Sequence, residues 1–81
     1  MGVDEKEKTI LGNCDVKDLT KKEIEIMNSF AKGGSYKEVS EQLGISQNTV
    51  KYHIRMLLAK TGFSNTLILI AHAVAIGLIE L

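Results

Sequence analysis

The chain has 81 residues, enough for one domain and one core. At 44% hydrophobic and 25% charged it reads as a soluble globular chain, and the lack of proline and scarcity of aromatics argue against a β-sandwich or a disordered tail. Ten basic and ten acidic residues cancel, so bulk charge does not make it a polyanion binder, and any nucleic-acid affinity must come from a local positive field. That field is uneven. Up to Asp18 the acids outnumber the lysines, whereas from Leu19 onward Lys21, Lys22, Lys32, Lys37, Lys51, Arg55 and Lys60 outnumber the acids, and none occurs from Gly44 until Glu80. Cys14 is alone, which excludes an intramolecular disulfide or a cysteine-rich zinc site and fits a reducing cytoplasm, the expected location. No apolar signal region opens the chain, and the apolar run 67–79 is shorter than the ~20 residues of a membrane span, so no membrane is expected as a partner.

Residues 1–18 are mixed in charge and weakly patterned, and are expected to form a flexible N-terminal arm with a short helical piece near Glu5–Leu11. Thr20-Lys21-Lys22-Glu23 is a capping box: the threonine hydroxyl can take a backbone N–H, and the glutamate can reach back to the cap residue. The helix it opens has Ile24, Met27, Phe30 and Ala31 as its core face and should stop at Gly33-Gly34. Ser35-Tyr36-Lys37-Glu38 is a second capping box, opening a short helix anchored by Val39 and Leu43 and ended by Gly44. Ile45 should plug the turn into the core, and Ser46 should cap the next helix. Short helix, glycine turn and longer helix together make the helix-turn-helix pattern.

The longer helix, about 47–60, has two different faces. Val50, Ile54, Leu57 and Leu58 form one stripe at helical spacing. Gln47, Asn48, Lys51, Tyr52 and Arg55 form the opposite one; all five carry donors and two are cationic, which suits phosphates and base edges. Thr61-Gly62 ends this helix. Ser64 or Asn65 then caps a fourth, to about Ile76, that has almost no polar face. A helix apolar all round needs burial all round, and a domain this small cannot supply it, so another chain is expected to cover the remainder. Leu67, Ile70, Ala71 and Val74, at i, i+3, i+4 and i+7, are the expected dimer stripe.

The run Leu19 to Glu23, then Ala31-Lys32-Gly33, Lys37 through Ser46, Thr49 through Ile54, Ala73 and Gly77-Leu78-Ile79 resembles the LuxR/GerE-type helix-turn-helix family of bacterial transcription regulators over about 19–79. By size the resemblance is expected to be to the small single-domain members, since no receiver or ligand-sensing domain fits within 18 residues. The resemblance implies an all-α, four-helix DNA-binding domain over 19–81, its third helix in the major groove of double-stranded DNA and its fourth at a two-fold dimer interface. By position it assigns Lys51, Tyr52 and Arg55 to base edges. Gln47, Asn48, Thr49 and His53 fall where the family contacts the backbone or supports the helix, and Thr20, Tyr36 and Lys37 are further backbone candidates. The chain departs from the family pattern at Thr61, where a core leucine is usual, and at Thr66, where most members carry arginine.

His53 and His72 lie near no carboxylate or thiol cluster, so no metal site is expected. No nucleophile–base–orienter set and no strand-preceded glycine loop can be picked out, so neither enzyme activity nor a cofactor nor a small-molecule ligand is expected. The expected function is a dimeric, sequence-specific DNA-binding regulator reading two half-sites. The alternative is a protein-interaction module, an anti-regulator, that pairs through its apolar fourth helix.

Overall fold

The computed structural model describes residues 10–80. A short antiparallel hairpin of β1 (Ile10–Leu11) and β2 (Cys14–Asp15) leads through a 3-10 turn at Val16–Asp18 into four helices. These are α1 (Lys21–Ala31), α2 (Tyr36–Leu43), α3 (Gln47–Thr61) and α4 (Thr66–Ala75). The all-α helix-turn-helix architecture expected from the sequence is present, with the hairpin added to it.

Local chemistry sets each boundary. Both capping boxes are complete: the Thr20 hydroxyl accepts from the Glu23 N–H and Ser35 from Glu38, while each glutamate accepts from its cap residue's N–H. Gly44 ends α2 in the left-handed region at φ 69°, which an L side chain adopts only with strain. Its N–H bonds the Ser40 carbonyl, turning the chain through Ile45, half-buried as expected, to Ser46, whose hydroxyl accepts from the Thr49 N–H. Asn65, not Ser64, caps α4, its side chain accepting from the Ile68 N–H.

Ile26, Met27, Val39, Val50, Leu57 and Leu69 are fully buried and join the helices in one core. The buried line of α1 is rotated from the expected one: it passes through Glu23, Ile26 and Met27, leaving Ile24, Phe30 and Ala31 half-buried. Ile26 and Met27 are the α1 residues that pack into the core shared with the other helices, and on the same side Lys60 bonds the Glu23 carboxylate at 2.9 Å.

Residues 10–18 are not an arm. Leu11 and Cys14 are buried in the core, and Ile10–Leu11 is extended rather than helical; the rest of the expected helical piece, 5–9, lies outside the described residues. The hairpin turn docks on the end of α3, where the Asn13 N–H donates to the Thr61 carbonyl at 2.8 Å. The contact is too close for a side chain at Gly12, since a Cβ there would lie 2.2 Å from that carbonyl oxygen. Thr61 itself fills a core position, and its hydroxyl donates to the Leu57 carbonyl at 2.7 Å, so the polar atom is satisfied within its own helix.

Helix α4 is covered on one side only. Leu69 and Ala73 are buried and Ile70 and Val74 half-buried, whereas Leu67 is 80% exposed, and Ile68, Ala71, His72 and Ala75 are exposed too. Among the described residues, no single helix is long and apolar enough to cross a membrane.

Candidate nucleic-acid interface

The two faces of α3 are separated as the sequence implies. Val50, Ile54 and Leu57 are buried against the core, with Leu58 half-buried beside them. Gln47, Asn48, Lys51, Tyr52, Arg55, Met56 and Ala59 are exposed, at i, i+1, i+4, i+5, i+8, i+9 and i+12, which is one continuous strip along the helix. All five residues expected to line this face are brought together on it. The first turn of α3 carries no acid, so the positive end of the helix dipole adds to the field of Lys51 and Arg55. Neither ion pair among the described residues, Lys22–Glu25 and Lys60–Glu23, includes Lys51 or Arg55.

Met56 and Ala59 were not expected on this surface. Met56 reads as a core residue by type, but it stands four residues after Tyr52 and next to Arg55, and that spacing was the signal available.

The flanking candidates divide. Lys37 is exposed at the start of α2. Thr20 is exposed too, but its hydroxyl is engaged as the cap of α1. Thr49 is half-buried, its hydroxyl 2.9 Å from that of Ser46, a supporting position at the head of α3. His53 is half-buried, with its ring edge-on to Tyr52 at 5.5 Å. Tyr36 is half-buried as well. Its ring packs edge-to-face on Phe30 at 5.3 Å, and the Lys51 ammonium stands 5.7 Å from the ring centre.

Of the four expected dimer residues, Leu67 and Ala71 are exposed while Ile70 and Val74 are half-buried. All four line one side of an apolar groove of about 630 Å³, whose other wall is formed by Phe30, Ala31 and Tyr36.

A turn at Gly44 between two short-linked helices, the second carrying a donor-rich face, defines a helix-turn-helix domain. The chain belongs to the luxR family of bacterial regulatory proteins (GerE), whose pattern matches residues 17–73. It is 36% identical over 68 residues to the probable transcriptional regulatory protein SgaR of Hyphomicrobium methylovorum, a match covering 84% of this chain and 32% of that protein. It is similar to the transcriptional activator protein PhzR of Pseudomonas fluorescens, at 33% identity over 83% of this chain and 27% of that protein. It is also similar to the transcriptional regulatory protein LiaR of Bacillus subtilis, at 45% identity over 58% of this chain and 22% of that protein. The chain thus spans about a third or less of the length of these curated relatives. The family is one of DNA-binding transcription regulators.

Proposed function

We propose that this domain binds double-stranded DNA in a sequence-specific manner, with α3 in the major groove and two copies paired through α4. The observation that carries the reading is the uninterrupted exposed strip of donors on α3 with no acid on that helix. Lys51 and Arg55 supply cationic donors for guanine edges, and Tyr52 and the apolar Met56 beside them complete the reading surface. Gln47, Asn48 and Lys37 sit where phosphates would flank a helix in the groove, with Thr49 and His53 supporting the helix beneath. Thr20 contributes through its place at the head of α1, its hydroxyl serving the cap. Pairing through α4 would cover Leu67 and Ala71 and set two reading helices about one DNA turn apart, ~34 Å, matched to two half-sites.

A fluorescence-anisotropy titration with a random-sequence duplex at low salt, repeated at rising salt, tests the reading. Binding that falls steeply with salt is expected, because each phosphate contact releases counterions. No binding at low salt overturns it. The uncovered face of α4, with Leu67 80% exposed, favours a second reading in which the domain pairs with a different protein. Absence of DNA binding moves weight to that one.

A further inference from the structure

We propose that Tyr36 is a positioning residue for DNA reading: its ring holds the Lys51 ammonium over the reading face, and its hydroxyl takes no part. The proposal rests on the reading of Lys51 as a base-edge donor. Lysine has a four-carbon stem whose rotamers must be ordered before its ammonium can serve one base, and that ordering costs binding free energy. A carboxylate could hold it, but would neutralise the charge that the DNA needs. Lys51 has no such partner among the described residues; its neighbours one turn away on α3 are Gln47 and Arg55, neither acidic.

What it has is the Tyr36 ring, 5.7 Å from Nζ to the ring centre, within cation–π range. A ring face attracts the ammonium through its quadrupole, adds no negative charge and leaves N–H donors for an acceptor on a base. The ring is itself fixed. Tyr36 is the first residue of α2, directly after the Ser35 cap, and Phe30 packs against it at 83° with centroids 5.3 Å apart. α1 therefore holds the ring, the ring holds Lys51, and Lys51 projects from the reading helix. This changes the role expected of Tyr36, which the sequence places among residues touching the DNA backbone. A phosphate contact would need the hydroxyl, whereas positioning needs only the ring.

The difference can be tested on the full chain in two stages. In the first, NMR of the DNA-free protein reads the ε-methylene protons of Lys51. They are expected upfield of the free-lysine position from the ring current, equally so in Tyr36→Phe, and at the free-lysine position in Tyr36→Leu. A free-lysine shift in the unmutated chain overturns the proposal. Amide spectra of the variants establish that each remains folded. In the second, affinity is measured for a duplex recovered by selection from a random pool. Tyr36→Leu should weaken binding about two- to five-fold, the size of an exposed cation–π contact. Tyr36→Phe should bind like the unmutated chain, and Tyr36→Leu should have no further effect on top of Lys51→Met. Equal loss in Tyr36→Phe and Tyr36→Leu overturns the proposal in favour of a phosphate-contacting hydroxyl. An undiminished effect of Tyr36→Leu in the Lys51→Met background overturns it by showing that the ring acts independently of Lys51. An upfield shift with no DNA binding by any variant removes the DNA reading, and the role of Tyr36 with it, while leaving the contact itself established.

Discussion

Lys60, in the last turn of α3, donates to the buried carboxylate of Glu23 in the first turn of α1 at 2.9 Å. The same carboxylate oxygen accepts from the Thr20 N–H at 2.9 Å, and Lys60 also reaches the Asp18 carbonyl at 3.3 Å. One carboxylate thus caps α1 and pins the far end of α3. Burial pushes the Glu23 carboxyl up, but the Thr20 N–H and the hydrogen bond and charge of Lys60 outweigh it and hold the group below its ordinary range. The bond to Glu23 in turn raises the Lys60 ammonium.

The signs of these shifts give a pH dependence. A carboxylate with a lowered folded pKa adds stability that is present above its unfolded pKa, about 4.3, and lost as pH falls through the folded value. An ammonium with a raised pKa adds stability that is present below about 10.4 and lost as pH rises through the folded value. Thermal stability should therefore be flat across neutral pH and fall in acid. Glu23→Gln should cost about 1–3 kcal/mol at pH 7, the range of a charged hydrogen bond, with a gap that narrows towards pH 3. Urea melts of both chains at the two pH values measure it, and an equal gap at both would show that the ion pair contributes nothing.

Gly44 needs its left-handed backbone and not the space around it, since a Cβ there would meet nothing within 4 Å. Gly44→Val should destabilise the domain by at least about 1 kcal/mol, and Gly44→Asn by less, because asparagine tolerates that region better. Equal melting temperatures for Gly44→Val and the unmutated chain would count against the strain.

Gly12 is left-handed too, at φ 62°, and there contact is a second constraint. A Cβ would press on the Thr61 carbonyl, so Gly12→Ala should push the hairpin off the end of α3 and cost about 1–3 kcal/mol. Hydrogen exchange at the Asn13 amide should speed up in the variant. Unchanged exchange there would mean the hairpin accommodates the methyl group without moving.

These two glycines mark what could be read in the sequence. The caps at Thr20, Ser35 and Ser46 and the stop at Gly44 depend on residues within three or four positions, so their patterns are local. The exposed, donor-bearing face of α3 is legible for the same reason, since one helix's periodicity suffices. The hairpin is not legible: its strands are two residues each, and the turn is held by Thr61, 48 positions away. The burial of Ile26 is not legible either, because it is set by packing against the other helices and not by the spacing within α1. The contacts of Tyr36 with Phe30 and Lys51 join three helices, and no spacing in one of them reports them.

Lys51→Ala and Arg55→Ala should each weaken specific DNA binding by about 1–3 kcal/mol and relax the choice of base pair at the position each reads. Lys37→Ala should instead weaken binding evenly across sequences and reduce the salt slope by about one. Titrations against selected and random duplexes separate the two behaviours. Unchanged affinity in both Lys51→Ala and Arg55→Ala would show that this face is not the reading surface.

Pairing through α4 gives the last expectation. Leu67 and Ala71 are exposed in the groove that they line with Ile70 and Val74, so a second copy set about a two-fold axis can bury apolar surface from both chains at ~25 cal/mol per Å², before the costs of association. Ala71 is the informative site. It is exposed in the single chain, so Ala71→Asp should leave the fold intact, whereas Val74 is half-buried against the core and Val74→Asp would also put a charge into the domain's own packing. Sedimentation at tens of micromolar should find a dimer for the unmutated chain and a monomer for Ala71→Asp. The monomeric variant should keep its melting temperature and lose the extra affinity for a two-half-site duplex over a single half-site. A monomeric unmutated chain in the absence of DNA would turn the exposed α4 face towards a different partner protein.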